Sequence, residues 1–153
     1  MEIEIITTQN SIENSLDPTR EFGLFLTKCL SFIKMTHWYT SNYNAHKILG
    51  SLYDDLSNLF DELQEEIIGT SKTRNVIFPK FSFNIQHIED LSLFNDEDSS
   101  ILSTYYNVSN EIMNTLTSLE FNTYLTKVKS GVKNTVDAIL TRINKTNYLL
   151  SIL

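Results

Sequence analysis

The sequence predicts an all-α protein in which four long helices pack as a bundle. The 153 residues include only 4 glycines and 2 prolines, and such low counts favour long helices over a turn-rich β fold. Apolar residues recur every three or four positions in four stretches, which is the spacing of helices that bury one face. A chain of this length can bury a substantial core, so we expect a single bundle domain over residues 17–153.

The first helix is predicted to begin at Asp17-Pro18, because an N-cap acceptor is followed there by a proline at the first helical position. Residues 1–16 precede it as an N-terminal arm. Its expected buried face consists of Phe22, Phe25, Leu26, Cys29, Ile33 and Thr36. Cys29 is the only cysteine, so we exclude a disulfide framework and interpret this residue as a buried apolar side chain.

Ser41 and Asn42 provide turn and capping chemistry before the second helix. This helix is predicted to end at Gly69, since glycine is typical of the position just after a helix. Its expected buried face consists of Leu49, Leu52, Leu56, Leu59, Phe60, Leu63 and Ile67.

A long connection follows the second helix and predicts a crossover along the bundle. The segment TSKTRNVIFPKFSF is too long and too mixed for a tight turn, so we expect an extended path, and NIQHIEDLSLF then predicts a short extra helix. The apolar residues expected to pack on the bundle are Ile77, Phe78, Phe81 and Phe83.

The third and fourth helices complete the predicted bundle. The acidic run at residues 95–98 suits the start of the third helix, and the fourth is predicted from about Asn122, with a kink or break possible at Gly131. The expected core residues of the third helix are Ile101, Tyr105, Val108, Ile112, Leu116 and Leu119. Those of the fourth are Leu125, Val128, Val132, Val136, Ile139, Ile143 and Leu150.

The net charge of −7 is concentrated in the first half of the chain. Residues 1–70 carry eleven acidic and four basic side chains, and residues 71–153 carry eight of each. No basic residue precedes Arg20, and an acidic surface disfavours DNA, so DNA binding is not expected. No apolar run approaches ~18 residues and no signal peptide is visible, which favours a cytoplasmic protein without a membrane segment.

One polar stripe on the second helix predicts a metal site. His46, Asp61 and Glu65 lie within about 100° of one another around the helix axis. Asp61 and Glu65 are one turn apart and can share an ion, but His46 lies ~22 Å away along the axis. Two copies packed antiparallel about a twofold axis would bring His46 of one chain to Asp61 and Glu65 of its mate.

These residues carry a resemblance to a known family. His37-Trp38, an Asn-containing turn, His46, Asp61 and Glu65 resemble the helix-A/helix-B segment of the Dps branch of the ferritin-like superfamily. The segment AHKILGSLYDDLSNLFDELQEEIIG is also similar to a group of uncharacterised tailed-phage proteins of that superfamily. The resemblance is good over residues 35–69, whereas the rest of the chain agrees only in helix order and in an aliphatic C-terminus.

The resemblance implies a ferritin-like four-helix bundle with a long B–C crossover that carries a short extra helix. It implies twofold dimers that assemble into a hollow dodecamer, and a metal site of His37 and His46 with Asp61 and Glu65 of the mate. Trp38 would pack beneath this site. Imidazole and carboxylate ligands suit Fe²⁺, Mn²⁺ or Zn²⁺, and two bound irons would imply ferroxidase activity with oxygen or peroxide.

The chain departs from the family pattern at Gly50, where the Dps pattern has a carboxylate, so we expect weaker or single-ion binding. No Glu-x-x-His occurs in the sequence, which excludes the ordinary di-iron centre inside one bundle. For His37, a helix-end residue bonded to the backbone is an equal alternative to a metal ligand. The alternative function is a non-catalytic, phage-encoded helical scaffold or host-protein interaction module that has lost metal chemistry.

Overall fold

The computed structural model describes residues 17–81 and 98–153, except for the side chains of residues 98 and 99. The described residues contain helices and no strand, which confirms the all-α prediction. The predicted N-terminal arm, the short extra helix and Phe83 lie outside the described residues. The helices are α1 (Pro18–Tyr39), α2 (Tyr43–Arg74), α3 (Asp98–Leu116), α4 (Leu119–Leu125) and α5 (Ser130–Ser151).

The four longer helices pack in a closed ring. α1 contacts α2 and α3, and α5 contacts the same two helices on the other side. α1 and α2 are antiparallel, since Gln64 near the end of α2 bonds to Thr19 at the start of α1. Within the described residues, no helix is long and apolar enough to span a membrane.

The predicted starts of α1 and α2 are confirmed, and each has a side-chain cap. The Asp17 carboxylate accepts a hydrogen bond from the Thr19 amide at 3.0 Å, with Pro18 at the first helical position. Asn42 Oδ1 accepts one from the Ala45 amide, also at 3.0 Å. Each bond satisfies an amide that has no partner inside the first turn, so the short turn between α1 and α2 is well defined.

The predicted core is largely confirmed. The expected apolar faces of α1 and α2 are buried, except that Leu59 is partly buried. On α3 the prediction is wrong for Leu119, which is 79% exposed. α3 ends at Leu116, and Leu119 instead begins a new helix that is capped by the Ser118 hydroxyl.

Two predicted helix boundaries are wrong. α2 continues through Gly69 to Arg74 and ends at Asn75, which adopts the left-handed conformation with φ of 55°. Asparagine is one of the few residues other than glycine that tolerate this conformation, so Gly69 is not needed as the stop. The helix expected from about Asn122 begins earlier, at Leu119, whereas the break allowed for at Gly131 is present just before that residue, between α4 and α5.

An aromatic cluster holds the segment that follows α2 against the bundle. The Phe78 ring lies 5.2 Å from the Phe22 ring and 5.0 Å from that of Tyr124, measured between centroids. Phe78 is buried as predicted, and Phe81 is partly buried. The prediction is wrong for Ile77, which is 87% exposed while its neighbour Phe78 takes the buried position.

Candidate functional site

His37 and His46 lie together where α1 ends and α2 begins. Their rings stack with centroids 4.0 Å apart and planes 18° apart. His37 Nδ1 is 2.6 Å from the His46 carbonyl oxygen, and His46 Nδ1 is 2.8 Å from the His37 carbonyl oxygen. The two residues therefore tie the last turn of α1 to the first turn of α2 reciprocally.

The two hydrogen bonds between the histidines show which ring nitrogen of each imidazole carries a hydrogen. A carbonyl oxygen only accepts hydrogen bonds, so each Nδ1 carries a hydrogen and donates it. In the neutral imidazole the lone pair then lies on Nε2. Metal-binding histidines commonly use this arrangement, in which the nitrogen that does not bind the metal donates to a carbonyl or carboxylate. A hydrogen bond from His37 to the backbone is therefore compatible with a role of His37 as a metal ligand.

Gly50 lies directly under the His37 ring. A Cβ atom built on Gly50 would be 2.7 Å from His37 Cε1 and 2.9 Å from His37 Nδ1. Any side chain at this position would displace the imidazole. The His37 ring thus fills the space that a side chain at position 50 would need.

Asp61 and Glu65 are exposed on α2, far from the histidine pair. Because α2 is continuous from Tyr43 to Arg74, the separation of ~22 Å between His46 and Asp61 holds. The described part of the chain contains no group of three or more His, Cys, Asp or Glu side chains that could hold a metal ion. One chain thus brings the two histidines together but does not bring them to the two acids.

Asp61 lines a groove of about 340 Å³ between α1 and α2. Gln64 lines the same groove, and its Nε2 donates to the Thr19 carbonyl at 2.7 Å. Its Oε1 is buried and has no hydrogen-bond partner among the described residues. Gln64 was not predicted from the sequence, although its position one turn after Asp61 was a usable signal.

Trp38 does not pack inside its own chain. Its side chain is 60% exposed, and the Lys34 ammonium lies 5.8 Å from its ring centroid. Tyr43 and Tyr148 are also exposed. Since α5 runs antiparallel to α2, as the Glu66–Thr135 and Asp55–Arg142 contacts require, these aromatic residues lie at the same end of the bundle.

A family model matches residues 37–150, which is most of the chain. The chain belongs to the DUF5856 family. The function of this family is described as unknown, so membership in DUF5856 does not by itself indicate an activity. The matched region includes His37, His46, Asp61 and Glu65. No curated protein and no solved structure matches the chain significantly.

Proposed function

We propose that the chain is a Dps-like, ferritin-like protein that binds iron or another divalent cation between the subunits of a twofold dimer. His37 and His46 of one copy would face Asp61 and Glu65 of the other. The observation that carries this proposal is the bonding of both histidines, because each donates through Nδ1 to a carbonyl and keeps Nε2 for a ligand. A hollow dodecamer built from six such dimers, in the cytoplasm, is the assembly that the family resemblance suggests.

The packing order of the helices supports a ferritin-like arrangement. α1 neighbours α2 and α3, and α5 closes the ring. α1 and α2 are joined by a short turn, whereas residues 75–97 connect α2 to α3. Short hairpins combined with one long crossover connection are typical of ferritin-like bundles.

The distribution of charge supports antiparallel pairing of two copies. Residues 22–53 contain no acidic residue and include Lys28, Lys34 and Lys47. Residues 54–66 contain six acidic residues and no basic one. If two α1–α2 hairpins pack antiparallel, the basic half of each faces the acidic half of the other, which favours this pairing over a parallel one.

The ligand set favours one ion per site. Mixed imidazole and carboxylate ligands accommodate Fe²⁺, Mn²⁺ and Zn²⁺. The His37 ring occupies the space beside Gly50, so position 50 adds no further carboxylate near His46. Bound iron would supply redox chemistry, so we propose ferroxidase activity only if two irons bind, and cation binding otherwise.

The second candidate is a scaffold or a module that binds a host protein, as in a phage-encoded bundle without metal chemistry. The exposed aromatic end of the bundle, formed by Trp38, Tyr39, Tyr43 and Tyr148, favours it. Large aromatic side chains are enriched at protein interfaces. Under this proposal the stacked histidines only fasten α1 to α2.

Metal stoichiometry tests the first proposal. The purified chain is loaded anaerobically with Fe²⁺, Mn²⁺ or Zn²⁺, desalted, and measured by elemental analysis. We expect about one ion per chain in the wild type and a loss in His46→Ala and Glu65→Ala. Glu62→Ala is the matched control, since Glu62 is an exposed acid on the same helix outside the proposed ligand set. Equal loading of all four proteins, or none in the wild type, would contradict the proposal.

A further inference from the structure

Arg142 on α5 is held rigidly against α2. Its Nε donates to Asp55 Oδ2 at 2.6 Å, Nη1 donates to Thr146 Oγ1 at 2.7 Å, and Nη2 donates to Ser51 Oγ at 3.1 Å. The side chain is only 17% exposed. These bonds use three of the five N–H donors of a guanidinium group, so two remain for a further acceptor.

A groove of about 240 Å³ lies beside this guanidinium. It is lined by two further cationic side chains, a hydroxyl group and two aliphatic residues, and no Asp or Glu is among the described residues that line it. Its volume exceeds that of a phosphate-sized ion. The lining residues are Lys47, Ile48, Ser51, Arg142, Lys145 and Leu149.

The lining of the groove is positive, although the whole chain is acidic, and Asp55 and Asp137 line the neighbouring groove together with Arg142 and Lys145. Asp55 offsets the charge of Arg142 from one side, and the charges of Lys47 and Lys145 remain. No acidic residue occurs in the sequence between Phe22 and Tyr53, or between Ala138 and the C-terminus. The Lys47 ammonium also lies 5.2 Å from the ring centroid of Tyr43, which is outside the groove.

We propose that this groove between α2 and α5 binds a small oxyanion of the phosphate class. The fixed guanidinium supplies directional donors for an oxyanion, and the two lysines supply charge. None of the residues that line this groove is a proposed metal ligand. The anion site therefore uses a separate set of side chains, although Lys47 is the neighbour of His46 in the sequence.

An NMR titration of the full-length chain with inorganic phosphate tests this proposal. At pH 7 and low ionic strength, we expect saturable shifts at Lys47, Ser51, Arg142 and Lys145, with a Kd of about 1–10 mM. Added sodium chloride should weaken the binding because it screens exposed charges. Sulfate should shift the same residues, and acetate, with one charge and no tetrahedral oxygens, should shift them less.

The variants avoid Arg142, because its replacement would also break the contact between α2 and α5. Lys145→Gln should weaken phosphate binding at least about threefold, as should Lys47→Gln. The matched control is Lys133→Gln, an exposed lysine on α5 outside the groove, which should change the Kd less than about 1.5-fold. The proposal is overturned if phosphate gives no saturable shifts, if acetate matches phosphate, or if the Lys145 and Lys133 variants behave alike.

Discussion

The imidazole of His37 lies against the backbone of Gly50 and stacks on the ring of His46. His46 and Gly50 are one turn apart in α2. The closest approach of a Cβ atom at position 50 would be 2.7 Å, to His37 Cε1. The absence of a side chain at position 50 therefore allows His37 to occupy its observed place. The packing of the histidine pair and of Gly50 is therefore coupled, and a substitution at one should change the energetic effect of a substitution at the other.

Gly50→Ala should move the His37 ring and weaken the histidine pair. The contact cost, typically about 1–3 kcal/mol, opposes a gain in helix propensity of about 1 kcal/mol. Gly69→Ala is the matched control, since it lies in the same helix and its Cβ would have no neighbour within 4 Å. We expect Gly69→Ala to stabilise the fold and Gly50→Ala to be at least about 1 kcal/mol less stable than that control, measured by urea unfolding.

A double variant separates the contact from other effects of alanine at position 50. With His37→Ala in place, Gly50→Ala should change the free energy of unfolding by nearly the same amount as Gly69→Ala. Equal effects of Gly50→Ala with and without His37 would show that the ring and the glycine are not coupled.

Asp17→Ala should remove the N-cap of α1 and lower the free energy of unfolding by about 1 kcal/mol at pH 7. The hydrogen bonds from Thr19 hold the pKa of the Asp17 carboxyl below its ordinary value. Because the folded-state pKa is the lower one, the stabilisation is fully present above the unfolded-state pKa. It is lost as the pH falls through the folded-state pKa.

Asp17→Asn is the control for this effect. Asparagine caps a helix about as well as aspartate but does not titrate, so this variant should keep most of the stability at pH 7. Because only the wild type loses this stabilisation in acid, its unfolding free energy should fall relative to that of Asp17→Asn as the pH drops below about 4. A difference that is constant from pH 7 to pH 2 would contradict the assigned role of the carboxylate.

Cys29 should resist thiol reagents in the native chain. Burial raises the pKa of its thiol well above the ordinary value, and the charge of Glu111 adds to the effect. The reactive species is the thiolate, so labelling with iodoacetamide at pH 8 should be slow in buffer and fast in urea. Mass spectrometry measures both rates, and fast labelling of the folded chain would show that the α1 core opens readily.

The sequence predicted the helices well where apolar spacing and caps agreed. Asp17 and Asn42 begin helices as expected because a side-chain acceptor and a following apolar stripe coincide there. The end of α2 was mispredicted because Gly69 tolerates a helical conformation and Asn75 takes the left-handed one. The separate helix α4 was missed because the Ser118 cap carries only a weak signal within an otherwise helical pattern.

The candidate site was predicted only in part. The spacing on α2 correctly separated His46 from Asp61, because rise per residue fixes distance along one helix. The stacking of His37 on His46 depends on a tertiary contact across the turn and on the space at Gly50. Spacing along a chain carries no information about such a contact, and the same holds for the bond between Gln64 and Thr19.

Mixing two complementary variants tests the intersubunit metal site most directly. One chain lacks both histidines (His37→Ala, His46→Ala) and the other lacks both acids (Asp61→Ala, Glu65→Ala). Neither should bind metal alone. After co-refolding at equal amounts, half of the dimers pair the two variants, and each such dimer has one intact site of two. The mixture should therefore recover about a quarter of the wild-type metal content, measured by elemental analysis with light scattering on the same fractions. No recovery in a mixture that forms dimers, or a wild-type chain that is monomeric and still binds metal, would contradict the proposed site.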